Sequence, residues 1–322
     1  LEDLIIDAAG DTEIIGGEIT TTGDQTYNDP LILVADTELT GDNVYFNNTV
    51  DSDSGNLWDL TVNAATVTQF GDDTGDTVGG TDRLASITTD APGRVEVGTN
   101  AINLEGNSAT FSDPVLLQAD LTIDESGAGN VEFASTVDSA EGENHALTVN
   151  TAGATIFEDQ VGGDGLGADS DDAGLGALTT DAAGTTQING GLVTTTGDQT
   201  YEDPATLGAD TVLNGANVLF HGTLDSDTGN LRTLTVNAGS VTRFGDGAAD
   251  IVGGTDRLAS IITDAPGRVE IGTTGINVNG ASATFNDAVL LQADLTIDEI
   301  GGGDIEFAST VDSADGANHA LT

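Results

Sequence analysis

The chain of 322 residues contains no cysteine, no methionine and no lysine. Without thiols it forms neither disulfides nor thiolate metal centres, and cysteine catalysis is excluded. With no methionine and Leu at position 1, the sequence reads as an excerpt of something longer. Six arginines stand against 55 aspartates and glutamates, giving a net charge of −49. A field of that sign repels nucleic acid phosphates and anionic lipid heads, so neither is an expected partner. It attracts cations instead. Abundant Asp with no Lys is the pattern of proteins that work in concentrated salt, and equally of marine or extracellular ones. No apolar run approaches the roughly 20 residues of a membrane span, and no signal peptide is visible. Sustained 3.6-residue periodicity is also missing, and 44 glycines are scattered throughout, which leaves little room for helix.

What is present is repetition. "TTTGDQTY" at Thr20–Tyr27 recurs letter for letter at Thr194–Tyr201, 174 positions on. Residues 1–148 lie over 175–322 at that offset without insertion or deletion. The organisation is therefore one unit over 1–174, expected to make about eight coils, and a truncated second copy over 175–322. A weaker repeat lies inside the unit, where "TTDAPG" at 88–93 returns as "TTDAAG" at 179–184. A still finer period shows in the phenylalanines at 46, 70, 111, 133, 157, 220, 244, 285 and 307. Their spacings approximate multiples of about 22 residues, with Tyr27 and Tyr201 filling gaps.

Two positions before each Phe stands a small or apolar residue and between them a mostly polar one, as in Val131–Glu132–Phe133, and turn formers such as "FGDD" and "FSDP" follow. Alternation of that kind belongs to a short strand with one buried face. Strands of four to six residues, joined by tight turns and repeating every ~22 residues, describe an all-β parallel β-helix, or β-solenoid, of about fifteen coils. The phenylalanines are then expected to stack in one internal column. A string of small β-sandwich domains is the alternative, but sandwiches need about 100 residues per unit and have no reason to repeat every 22.

"TTTGDQTYNDP", "VTRFGD" and "LTVNAG", strung into Thr/Asp/Gly-rich arrays, resemble repeats of giant bacterial surface proteins, the filamentous-haemagglutinin-like and autotransporter-like β-solenoid adhesins. The resemblance covers essentially the whole chain. It implies a secreted, cell-surface, non-enzymatic structural or adhesive role, and it transfers no site residue.

Candidate chemistry is sparse. "DSDSGN" (51–56) and "DSDTGN" (225–230) open like calcium loops, which makes Asp51, Asp53, Asp225 and Asp227 candidate metal ligands and calcium the one candidate cofactor. The Glu that such a loop places at its twelfth position is Val62 or Val236 here, and Asp59 at the ninth becomes Thr233. The competing reading is an Asp-capped turn. "GGDGLGADSDD" (162–172) occurs once and reads as a looped-out insertion. The three histidines do not cluster in sequence, and no catalytic signature accompanies them. Trp58, the best platform for a sugar, becomes Arg232 in the second copy, and the carboxylates repeat where a catalytic centre would break the repeat. Thr-rich runs do not recur on every coil, so an ice-binding ladder is missing.

The function expected from these residues is a structural, non-enzymatic rod segment of a long extracellular fibre, stalk or surface layer. The alternative is an adhesin that binds glycans or a partner cell surface, with a polysaccharide-active enzyme third. The expected partners are further copies of the same unit end to end, in one chain or as stacked subunits, because the open ladder edges of a solenoid invite another strand. Charge density also makes stability depend on salt: screening relieves the self-repulsion of the compact state. The melting temperature is expected to climb steadily from low salt to molar NaCl, and a flat or falling trend in a calorimetric scan would contradict this.

Overall fold

The computed structural model describes residues 1–7, 10–163, 174–314 and 316–322. The 162–172 segment expected to loop out therefore lies, from residue 164 onward, outside the described residues. Thr-, Val- and Ile-rich triplets bounded by Gly, Asp and Asn become strands of three to five residues. Four strands are longer, Thr37–Phe46, Asp59–Phe70, Thr211–Phe220 and Thr233–Phe244. No helix occurs among the described residues. The chain divides into two compact units, one built on Leu1–Asp159 and the other on Gln160–Gly162 with the residues from Gly174 onward.

In the first unit each turn of chain supplies one strand to each of three faces, and the strands of a face pair in parallel. Face I runs from Glu18–Thr20 through the first halves of Thr37–Phe46 and Asp59–Phe70, then Ser86–Thr89, Ala109–Phe111, Val131–Phe133 and Ala154–Phe157. Face II stacks Leu4–Ile6, Gln25–Tyr27, the second halves of the same two long strands, Arg94–Val97, Val115–Leu117 and Val137–Ser139. Face III stacks Thr12–Ile14, Leu31–Leu33, Val50–Ser52, an isolated bridge at Val78, then Ala101–Leu104, Leu121–Glu125 and Leu147–Thr151. Down face II the paired positions are Ile6, Tyr27, Phe46, Phe70, Val97, Leu117 and Ser139, which keeps the expected step of about 22 per turn. The second unit repeats the plan, with Leu178–Thr180, Gln199–Tyr201, Arg268–Ile271, Ala288–Leu291 and Val311–Ser313 among its face II strands. Among the described residues each unit is seven turns deep, about fourteen in all against the fifteen expected.

The core of each unit is the column of inward residues. In triplets such as Ala109–Thr110–Phe111 the outer two are buried and the middle one is half-buried. The phenylalanines do not form one column, and this corrects the expectation. Tyr27, Phe46 and Phe70 stack on face II with centroids 5.6 and 5.4 Å apart, whereas Phe111, Phe133 and Phe157 stack on face I at 5.3 and 5.4 Å. Above Phe70 the next rung of face II carries Val97, and below Phe111 the previous rung of face I carries Thr89. The interval from Phe70 to Phe111 is thus not two turns of one column. It is a passage to Thr89 on the other face, followed by a single turn from Thr89 to Phe111. The second unit makes the same switch, from the Tyr201–Phe220–Phe244 stack to the Phe285–Phe307 pair.

The long strands carry the chain around the corner between faces I and II through a register shift at Gly41–Asn43, repeated at Gly215–Asn217. A Cβ at Gly41 would lie 2.9 Å from Thr21 Oγ1 and 3.0 Å from Gly23 O, so any larger residue would push these oxygens aside to close the corner. The repeated octapeptide sits against this corner. Buried Gln25 donates its amide to Thr40 O (2.8 Å) and Ile19 O (3.1 Å), and the Tyr27 hydroxyl donates to its Oε1 (2.8 Å). Gln199 and Tyr201 repeat the network against Asn214 O and Val193 O. Buried polar groups tolerate little substitution because each needs its partner, which accounts for the identity of the two octapeptides.

Truncating Phe133, the middle ring of its stack and 1% exposed, to Ala is expected to cost about 3–5 kcal/mol. Glu132→Ala, on the outward side, is expected to cost under about 1 kcal/mol. Urea unfolding followed by circular dichroism checks the pair, and equal losses would contradict the inside–outside register.

Candidate functional site

The four candidate calcium ligands sit where face III leaves its rung. Asp51 follows Val50 on the strand, and its Oδ1 accepts from the backbone N–H of Thr81 (2.9 Å) and Asp82 (3.3 Å). Asp53 holds its own turn instead, accepting from Asn56 Nδ2 (2.8 Å) and from Trp58 Nε1 (2.5 Å). Asp225 accepts likewise from Thr255 and Asp256 N–H, at 2.9 and 3.3 Å. Asp227 accepts from Asn230 Nδ2 and Arg232 Nε, both at 2.5 Å. Asp51 thus caps the turn at 81–82 while Asp53 holds its own, and all four carboxylates have protein donors. The Trp58/Arg232 difference is also explained, since one N–H donor replaces another against the same aspartate. Beside the first turn lies an open depression of about 410 Å³ bordered by Asn56, Leu57, Asp82, Arg83 and Glu105.

Other carboxylates serve similar ends. Glu125, buried at the end of a face III strand, accepts from the backbone N–H groups of Gly106 (2.9 Å), Gly127 (2.8 Å) and Gly129 (2.5 Å). Glu299 does the same with Gly280, Gly301 and Gly302. Burial pushes the Glu299 carboxyl up, but this glycine nest outweighs it and holds the group below the usual range. Arg83 ties successive rungs together: Nη1 donates to Leu104 O (2.9 Å) and Asp124 O (2.8 Å), and Nη2 meets Asp124 Oδ2 at 2.5 Å. Arg257 repeats the tie on Val278 O and Asp298. The histidines are dispersed: His145 lies against Glu143 and Asp120, His221 against Asp246 and His319 against Asp294. Among the described residues no group of three or more His, Asp or Glu is placed to hold a metal.

A second set of acids, unmarked by the sequence reading, lies at corners between faces. Asp113, Asp203 and Asp287 are each 2% exposed. Each follows an aromatic by two positions, in "FSDP", "YEDP" and "FNDA", and sits one turn beyond the Asp of a "TDAPG" or "TDAAG" turn. That recurring one-turn offset from Asp90, Asp181 and Asp264 was the legible signal. Burial pushes the Asp113 carboxyl up to about 6, with the Asp90 charge adding to it. Asp203 is likewise pushed up to about 6, by burial first, although two threonine hydroxyls donate to its Oδ1, Thr186 at 2.7 Å and Thr180 at 3.1 Å. Asp287 is raised by burial and by the Asp264 charge.

No protein family, curated protein or solved structure matches this chain.

The sign of the Asp203 effect follows from linkage. Its folded pKa of about 6 lies above the ordinary 3.8, so the folded state binds the proton more tightly than the unfolded one. That contribution to stability is complete below pH ~4 and is lost as pH rises through about 6. Asp203→Asn keeps an oxygen for both threonines and removes the buried charge. At pH 7 it is expected to raise the melting temperature by about 2 °C or more, roughly the worth of 1 kcal/mol in a domain of this size. Between pH 7 and pH 5 it is expected to flatten the pH dependence. An unchanged slope in the variant would contradict the assignment.

Proposed function

We propose that this chain is a structural, non-enzymatic segment of a long extracellular fibre, stalk or surface layer built from tandem β-solenoid repeats. The observation that carries the reading is where the polar side chains spend their hydrogen bonds. In both copies Gln25/Gln199, Arg83/Arg257 and Glu125/Glu299 bind backbone groups of an adjoining rung or turn. Asp51/Asp225 cap turns through backbone N–H groups, and Asp53/Asp227 hold theirs through side-chain donors. Carboxylates committed to scaffolding at repeated positions suit a material whose product is length, whereas hydrolysis needs a pair facing one substrate. The resemblance to giant bacterial surface repeats points the same way, and a surface bearing 55 acids against six arginines keeps such a filament solvated. Its partners on this reading are further copies of the repeat, within one polypeptide or as stacked subunits.

Concatemers test it. With seven rungs per unit at about 4.8 Å, each added 174-residue repeat is expected to lengthen the particle by about 34 Å at constant width in negative-stain micrographs. An antibody against the chain should then decorate filaments or a layer outside intact cells of the source organism. Particles that grow in all dimensions, or label confined to the cell interior, would refute the proposal.

A further inference from the structure

We propose that the two corners beneath the Asp-Ala-Pro-Gly turns, at Asp90/Asp113 and at Asp264/Asp287, are binding sites for a hard divalent cation of calcium's size. They are separate from the "DSDSGN" and "DSDTGN" turns, whose carboxylates already have protein donors.

The case starts from orphaned oxygens. Asp113 Oδ1, Asp90 Oδ1 and Thr89 Oγ1 are all shut away from solvent without a hydrogen-bond partner. At the other corner the same holds for both carboxylate oxygens of Asp287 and for Thr263 Oγ1. The Thr89 hydroxyl stands near the Asp113 carboxyl, close enough to favour its charged form but outside hydrogen-bond geometry. Buried polar atoms almost always find partners, so recurrence of the same orphans at both corners marks something that completes them.

The chain contains its own comparison. At the third copy of this corner, Thr186 and Thr180 both donate to Asp203. The positions matching Thr186 are Val95 and Val269, which have no hydroxyl to give. One copy thus satisfies its acid with neutral donors, and the two Asp-Ala-Pro-Gly copies leave theirs open.

Backbone oxygens crowd the same point. A Cβ built on Gly93 would lie 2.9 Å from Ala64 O, 3.2 Å from Thr66 O and 3.2 Å from Asp113 Oδ1. On Gly267 it would meet Ala238 O, Ser240 O and Asp287 Oδ1 at 3.0, 3.1 and 3.1 Å. Asp264 keeps Oδ1 on the Ala238 N–H (3.0 Å), which anchors its carboxylate at the corner. Each corner therefore gathers two carboxylates, a threonine hydroxyl and main-chain carbonyls, all hard oxygen donors. Calcium takes six to eight such ligands at roughly 2.3–2.6 Å in flexible geometry, whereas magnesium demands a tighter octahedron. The cation would supply the charge that a buried aspartate and its half-buried neighbour lack.

The test is equilibrium dialysis of calcium against the 322-residue chain, in about 0.5 M NaCl to screen diffuse counterions. Two saturable calcium ions per chain are expected, with magnesium competing only at far higher concentration. Asp113→Asn and Asp287→Asn should each remove one ion, and Asp203→Asn should remove none. Val95→Thr with Val269→Thr, which copies the third corner's hydroxyl, should abolish both sites while the circular dichroism spectrum stays that of the parent. The proposal is overturned by absence of saturable binding, by equal competition from magnesium, or by retention of both ions in the threonine double variant. Loss of the ions in Asp53→Asn and Asp227→Asn with the corner variants unaffected would overturn it as well.

Discussion

Everything in this molecule hangs on the in-register parallel ladder. A strand of three residues buries too little to hold itself, and its N–H and C=O groups are satisfied by the rungs on either side. Each rung therefore templates the next, and a position is compatible with the fold only if it suits the residue one turn away. Ring stacks on ring, as in Phe46 over Phe70 at an interplanar angle of 5°. Where the stack must end, the column continues in Val97 or begins from Thr89, small enough to fit the same slot. The ladder fixes direction as well as spacing, so side chains that reach along it, such as Arg83, find backbone carbonyls at successive rungs.

The charge of the chain is handled within this frame. Most acids occupy turns, where a carboxylate accepts backbone N–H groups that the ladder cannot use. Glu125 in its glycine nest and Asp51 over the 81–82 turn are examples. The corners at Asp113, Asp203 and Asp287 differ in that each buries an acid whose carboxyl is pushed up by that burial. Threonine hydroxyls satisfy the second of them. Copies of one repeat unit therefore solve the same local problem by different chemistry, and these are the positions where the repeat carries information beyond its own propagation.

Repetition also bears on how the function reads. A scaffold whose recurring polar contacts run to neighbouring turns is suited to extension, and departures between copies become the informative positions. Trp58 and Arg232 look like such a departure in sequence. In the structure they are two ways of donating an N–H to the aspartate five positions earlier. Glu105 and Asn279 are another pair of differing positions, one of them on the rim of an open depression.

The sequence by itself determined the class of fold, the length of the turn and the inside–outside register. All three rest on local alternation and on a period of about 22, which any window of the chain displays. It also displayed the "TTTGDQTY" octapeptide twice, letter for letter, without giving the reason for the identity. Only the tertiary structure decided which face each strand joins. The spacing from Phe70 to Phe111 is compatible with two turns of one column or with a passage between columns, and the choice depends on where the corners fall. The buried acids were hidden for the same cause. Asp90 and Asp113 lie a full turn apart along the chain and look like ordinary turn formers until stacking brings them to one corner. Local pattern specifies what a rung is made of, while closure of the turn specifies what each rung lies against.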